Sequence, residues 1–226
     1  EINDQYVEPA VIARKVISMG DAVIFFNFRE DSARQLTRAF IEDGFDKFPR
    51  KKIENLFFVA MTKYLEDLPL ANVAFPPPDI SNTLSEVLSS QGKTQLHIAE
   101  TEKYAHVTYF FNGLIEKPFR GEERALITSQ GALRPEQYPK IQAEKITDKV
   151  LENINNFDFM LVNFADADML AHSGNIEDAI SGIETIDRCL ARLIKSQDEN
   201  TAIIITADHG NAEEMLNPHT GAKKTE

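Results

Sequence analysis

Phe159-Met160-Leu161-Val162-Asn163-Phe164-Ala165-Asp166-Ala167-Asp168-Met169-Leu170-Ala171-His172 joins the two patterns from which the fold is read. Phe159–Phe164 is a nearly continuous apolar run, as expected of a strand buried on both faces of a sheet. Asp168 and His172 then stand four apart, which puts both on one face of a helical turn where they could hold one ion together.

The same arrangement recurs near the end of the chain. The apolar run Ala202–Thr206 is followed closely by Asp208-His209-Gly210-Asn211. A carboxylate beside an imidazole suits a borderline divalent metal such as Mn²⁺ or Zn²⁺, and the glycine lets the backbone turn away from the strand. In open α/β sheets ligand sites gather beyond the carboxyl ends of the strands. Two Asp/His pairs, each just past a buried strand, point to a two-metal phosphoryl-transfer or hydrolytic site.

Working outward, further strands are predicted at Ala22–Phe28, Leu56–Met61, Gln95–Ala99 and Val107–Phe111. Helical patterns lie near Ala10–Ser18, Ser32–Glu42, Asn82–Ser90, Glu136–Asn155 and Glu177–Ser196. In the last, Ile180, Ile183, Ile186, Leu190 and Leu193 recur at helical spacing. This alternation predicts an α/β fold. Phe75-Pro76-Pro77-Pro78-Asp79 reads as a stiff interdomain linker, with Asp79 or Ser81 capping the helix that follows. Ser32 reads as the cap of its own helix.

The chain has 226 residues, 42% of them hydrophobic and 27% charged, enough for one large domain or two smaller ones. A net charge of −12 argues against a nucleic-acid partner and would repel an anionic membrane surface. No apolar run is long enough to span a bilayer, and Glu1-Ile2-Asn3-Asp4 is not a signal peptide. The single cysteine, Cys189, excludes an internal disulfide and reads as a packed core thiol. A reducing, cytoplasmic setting is expected.

Four segments, in order along the chain, resemble those of cofactor-independent phosphoglycerate mutases of the alkaline phosphatase superfamily. Phe25-Phe26-Asn27-Phe28-Arg29 is similar to the family's substrate-binding arginine segment, and Ala99-Glu100-Thr101-Glu102-Lys103-Tyr104-Ala105-His106-Val107-Thr108 to its catalytic lysine segment. Asn163–Asn175 and Thr206–Glu213 resemble its metal-binding segments. The resemblance implies an alkaline-phosphatase-like sheet with flanking helices, residues 76–226, and the end of an α/β phosphotransferase domain, residues 1–75. It implies that Asp168 and His172 hold one Mn²⁺ and Asp208 and His209 the other. Arg29 would grip the anionic substrate. Lys103 would bridge the two domains and neutralise charge on the transferring phosphoryl group. The implied reaction interconverts 2-phosphoglycerate and 3-phosphoglycerate through a phosphoserine, in a monomer.

The match also has departures. The family's nucleophilic serine and a further metal-binding histidine have no counterpart here, so a partial sequence with little turnover of its own is expected. Ser32 stands where the family carries a second arginine, with Arg34 nearby. His219, in Asn217-Pro218-His219-Thr220-Gly221, reads as a turn residue. His97 and His106 read as core or edge histidines, Phe110 and Phe111 as strand core, Arg120–Arg124 as a surface loop, and Lys223-Lys224 as a solvated tail. The rival readings are a phosphatase, sulfatase or phosphopentomutase of the same superfamily, and a non-catalytic metal-binding fragment.

Overall fold

The computed structural model describes residues 10, 12, 16–64, 72–129 and 142–224. It divides into two compact units, Pro9–Asp79 and one that contains Ile80–Glu226.

The first unit is a β-α-β element. Strand β1 (Ala22–Phe25) pairs in parallel with β2 (Phe57–Ala60), and helix α1 (Glu30–Ile41) lies between them in sequence, since parallel neighbours need a crossover. Ala33, Phe58, Ala60 and Tyr64 form its core, with Phe25 and Phe40 packed against them. The Tyr64 hydroxyl donates to the Asn27 carbonyl, with the Phe25 carbonyl 3.3 Å away, tying the end of β1 down. The N-cap of α1 is Arg29, so Ser32 lies inside the helix and is not its cap. Of the expected helix Ala10–Ser18, residues 11 and 13–15 lie outside the described residues, and the described ones, 10, 12 and 16–18, are not helical.

The second unit is built on a three-stranded parallel sheet in the order β4 (Glu122–Ile127), β3 (Gln95–Glu100), β5 (Phe159–Val162). Every residue of β3 is buried, and alternate side chains face opposite ways. Leu96 and Ile98 pack with Ile146 and Val150 of α3 (Ala143–Asn153) and Leu193 of α5 (Ile176–Ser196). Gln95 and His97 join a polar layer instead. Gln95 Nε2 donates to the carbonyl of Ser85 in α2 (Leu84–Ser90) at 2.9 Å, and His97 Nε2 meets Gln95 Oε1 at 3.1 Å. Burial holds the His97 imidazole below its ordinary pKa, even though the Glu122 carboxylate stands 3.7 Å from Nδ1 and opposes the shift.

Several expectations are corrected. Val107–Phe111 is not a strand: His106–Phe110 forms a π-helical turn, with Leu114 N donating to Tyr109 O. Val107 and Thr108 are its buried residues, and Asn112, four past Thr108, is buried too, a helical spacing that outweighs the strand propensity of the β-branched and aromatic side chains. Phe110 is accordingly exposed rather than core. Arg120–Arg124 is no surface loop, because β4 begins within it. The buried Glu122 carboxylate accepts from Asn112 Nδ2 and Phe119 N, both at 2.8 Å, and from Arg124 Nε at 2.5 Å. The cap of α2 is Thr83, whose hydroxyl accepts from Glu86 N at 3.3 Å, not Asp79 or Ser81. Lys224 is no free tail, as it pairs with Glu214 at 2.6 Å. Ala202–Thr206 forms no strand, and Ile204 is 88% exposed. A strand needs a neighbour's ladder, and among the described residues none lies against it.

In α5 the buried stripe is Ala179, Gly182, Thr185, Cys189 and Leu193, with the lone thiol in the core as expected. Small residues let the helices approach closely: a Cβ at Gly182 would stand 2.5 Å from Leu170 Cδ1 of α4 (Asp166–Ala171). Ile180 and Ile183, two of the residues that recur at helical spacing, face solvent. No described helix is long and apolar enough to cross a membrane.

Leu193→Ala, at an 8% exposed position, is expected to cost about 2–5 kcal/mol in urea unfolding. Ile180→Ala, at a 52% exposed position, should stay within about 0.5 kcal/mol of the parent. Equal losses would mean that the packed face of α5 is misassigned.

Candidate functional site

The carboxyl ends of β3 and β5 deliver side chains to one place. Past β3 the chain tightens into a 3₁₀ turn, Thr101–Lys103, which buries Lys103. Past β5, Asn163–Ala165 leads into α4, which carries Asp166 and Asp168 in its first turn and ends with His172 as its C-cap. The irregular segment after α5 brings up Asp208 and His209.

These groups converge on Lys103 Nζ. It lies 2.8 Å from Asp168 Oδ2, 2.8 Å from His209 Nε2 and 3.7 Å from Asp208 Oδ2. His172 Nε2 is 3.4 Å from Asp168 Oδ1, so the pair four apart does share a face. His209 Nδ1 donates to the Gly210 carbonyl at 3.2 Å, which leaves the Nε2 lone pair pointing at the ammonium. Two carboxylate oxygens and an imidazole lone pair are thus aimed at one positive charge.

That donor set also suits a divalent cation by type, since carboxylate and imidazole are ordinary ligands of Mn²⁺, Co²⁺ and Zn²⁺. Among the described residues, however, no three His, Cys, Asp or Glu side chains form a cage for a metal by themselves. A lysine stands in the middle instead. Arg29 belongs to the other compact unit, where its amide donates to Asn27 Oδ1 at 2.9 Å. His219 sits in an exposed turn, its amide donating to Asn217 Oδ1 at 2.9 Å.

Three residues of this region carry no role in the sequence reading. Asn211 Nδ2 donates to Asp168 Oδ1 at 2.6 Å and to the Asp168 carbonyl at 3.3 Å, bolting the two metal-type segments together. Burial raises the Asp168 carboxyl, but the donors Asn211 and Lys103, with His172 nearby, outweigh it and leave the pKa below its ordinary value. Asp166 is buried, and burial raises it despite a hydrogen bond from the Gln142 amide at 3.1 Å. Burial likewise pushes Glu100 up to about 7. An added Cβ at Gly210 would meet the carboxylate end of the flexible, exposed Glu213 side chain. Glu213 folds over that glycine to accept the Asn211 amide at 2.6 Å.

Comparison with known proteins bears on this geometry. The family model of the metalloenzyme superfamily matches residues 21–223. A 2,3-bisphosphoglycerate-independent phosphoglycerate mutase of Moorella thermoacetica is 48% identical over 225 residues, covering 96% of this chain and 44% of that protein. The protein of the same description from Clostridioides difficile is 48% identical over 231 residues, covering 99% and 45%. A phosphoglycerate mutase of Leishmania mexicana, whose crystal structures were determined at low cobalt concentration, superposes with a TM-score of 0.79 at 32% identity, covering 92% of this chain and 39% of that one. The chain thus spans less than half the length of the curated relatives it matches.

The depressed Asp168 carboxyl contributes stability that is present above its unfolded pKa and lost as pH falls through the folded one. Asn211→Ala removes a donor, so the Asp168 carboxyl should titrate at higher pH, followed by carboxyl ¹³C NMR. The metal-free protein should lose about 1–3 kcal/mol at neutral pH, with the deficit shrinking in acid. An unmoved titration would show that Asn211 does not hold Asp168.

Proposed function

The chain belongs to the metalloenzyme superfamily, and from that premise we propose that it is part of a 2,3-bisphosphoglycerate-independent phosphoglycerate mutase. The observation that carries this reading is the convergence of Asp168, Asp208 and His209 on the Lys103 ammonium beyond the carboxyl ends of parallel strands. Sequence-distant Asp/His pairs meeting around a cation position are what a two-ion phosphoryl-transfer site requires.

In this reading Asp168 and His172 hold one divalent ion and Asp208 and His209 the other, with Mn²⁺ as the working metal. When bound, the ions supply Lewis-acid neutralisation of phosphoryl oxygens and activation of a hydroxyl nucleophile. The residues of the chain position and neutralise. Asp168 orients Lys103, whose charge faces the transferring phosphoryl group, where a fixed positive group is worth most. Arg29 supplies a planar fork of donors for a carboxylate or phosphate. The phosphoryl group passes between the two hydroxyls of glycerate by way of a serine, a role given to no serine of this sequence. Residues 1–75 are assigned to a phosphotransferase domain and 76–226 to the phosphatase-like, metal-binding domain. The setting proposed is cytoplasmic glycolysis, with phosphoglycerate as the small-molecule partner and a monomeric protein.

Calorimetric titration with Mn²⁺ tests the centre of this proposal. The parent chain is expected to bind the ion and the double variant Asp208→Ala/His209→Ala to lose that binding. Equal binding by both proteins, or none by the parent, would remove the proposed ligand pair.

A further inference from the structure

Beside Lys103, outside the groups that surround its ammonium, lies a second polar cluster. Ser129, two residues past the end of β4, places its hydroxyl oxygen 2.9 Å from Glu100 Oε2 and also within hydrogen-bond reach of Glu102 Oε2. The Ser129 amide donates to Thr101 Oγ1 at 3.2 Å. Residues 100, 101 and 102, the three that precede Lys103, are therefore all joined to the end of β4 through Ser129.

The hydrogen count of this cluster is informative. A serine hydroxyl has one hydrogen and cannot donate fully to two carboxylates at once. Satisfying both contacts requires that one carboxyl bring its own proton. The surroundings decide which. Glu102 is exposed to water, whereas Glu100 is only 2% exposed, with the buried carboxyl of Asp166 on α4 and the charge of Glu102 both disfavouring its ionisation. A buried carboxyl without a cation partner takes up a proton rather than remain charged. The chain of bonds then runs in one direction: the Glu100 acid O–H donates to Ser129 Oγ, and the Ser129 O–H donates to the Glu102 carboxylate.

We propose that Glu100 is a positioning residue, held as a neutral carboxylic acid whose proton locks the Thr101–Lys103 turn, and with it the Lys103 ammonium, to the end of β4. Ionisation releases that proton to solvent and leaves two anions competing for one hydroxyl hydrogen, so one of the two side-chain bonds is lost. The lock is a device of the site described above: it rests on Lys103 being the cation that faces the phosphoryl group, but its chemistry concerns residues that touch neither metal nor substrate. Burial raises the Glu100 pKa to about 7, so the change falls near neutrality.

The test uses the chain without metal and two readouts. Infrared difference titration should show the carbonyl stretch of a protonated carboxylic acid vanishing near pH 7 in the parent and missing from Glu100→Gln. Amide hydrogen exchange of residues 101–103, corrected for intrinsic rates, should show protection in the parent falling roughly five- to tenfold from below to above pH 7, as for loss of one hydrogen bond. Glu100→Gln, which keeps a donor at every pH, should hold its protection on both sides. Ser129→Ala should lack it on both sides. A carboxylic-acid band vanishing near pH 7 that is still present in Glu100→Gln, parent protection that ignores pH, or a Ser129→Ala protein protected like the parent would each overturn the lock. Because no metal or turnover is read, failure here is separate from failure of Mn²⁺ binding.

Discussion

The organisation of the second unit depends on the burial of one strand, Gln95–Glu100. All six residues are enclosed, parallel neighbours occupy both edges, and the two faces meet different surroundings. Leu96 and Ile98 anchor an apolar layer with α3 and α5. Gln95 and His97 anchor a polar layer that runs from the Ser85 carbonyl to the Asn112–Glu122–Arg124 network. A strand held on four sides has one free direction, its carboxyl end, and the residues that leave there inherit its rigidity. Lys103 is three residues past that end.

Placing an ammonium there is costly, since taking an ion out of water carries a penalty of several kcal/mol unless partners replace the lost hydration. Lys103 is 6% exposed, and Asp168 and His209 replace that hydration at 2.8 Å each. The partners are themselves held: Asn211 grips Asp168, and the Gly210 carbonyl fixes the ring of His209. A charge so completely surrounded by fixed dipoles needs little reorganisation when an anion approaches, which is the physical basis of electrostatic preorganisation.

Much of this was legible in the residue order because it follows from local pattern. Phe159–Val162 is an apolar run whose length suits a strand, and Asp168 and His172 declare a shared helix face by spacing alone. What escaped depends on partners distant in sequence. β4 opens with Glu122-Glu123-Arg124, three charges that read as a loop until Asn112 and Phe119 are seen to bury the first of them. The isoleucines of α5 were legible as helical but not by face, because the close approach of α4 selects Gly182 and leaves Ile180 outside. Lys103 came from the family resemblance. Asn211 and Glu100 had no sequence signal, as their roles exist only where Asp168 and Ser129 are brought to them.

The exposed run Ala202-Ile203-Ile204-Ile205-Thr206 has a colloidal consequence. It is uncharged, free of proline and rich in β-branched side chains, the composition that pairs readily with copies of itself in cross-β fashion. Its backbone donors and acceptors have no ladder among the described residues to occupy them. The opposing force is the net charge of −12, which keeps copies apart by long-range repulsion. That repulsion is screened over about 10 Å at 0.1 M salt and about 3 Å at 1 M, whereas the attraction between isoleucines is not. Raising the ionic strength therefore favours association through this run, and the acidity of the chain serves as its protection against itself.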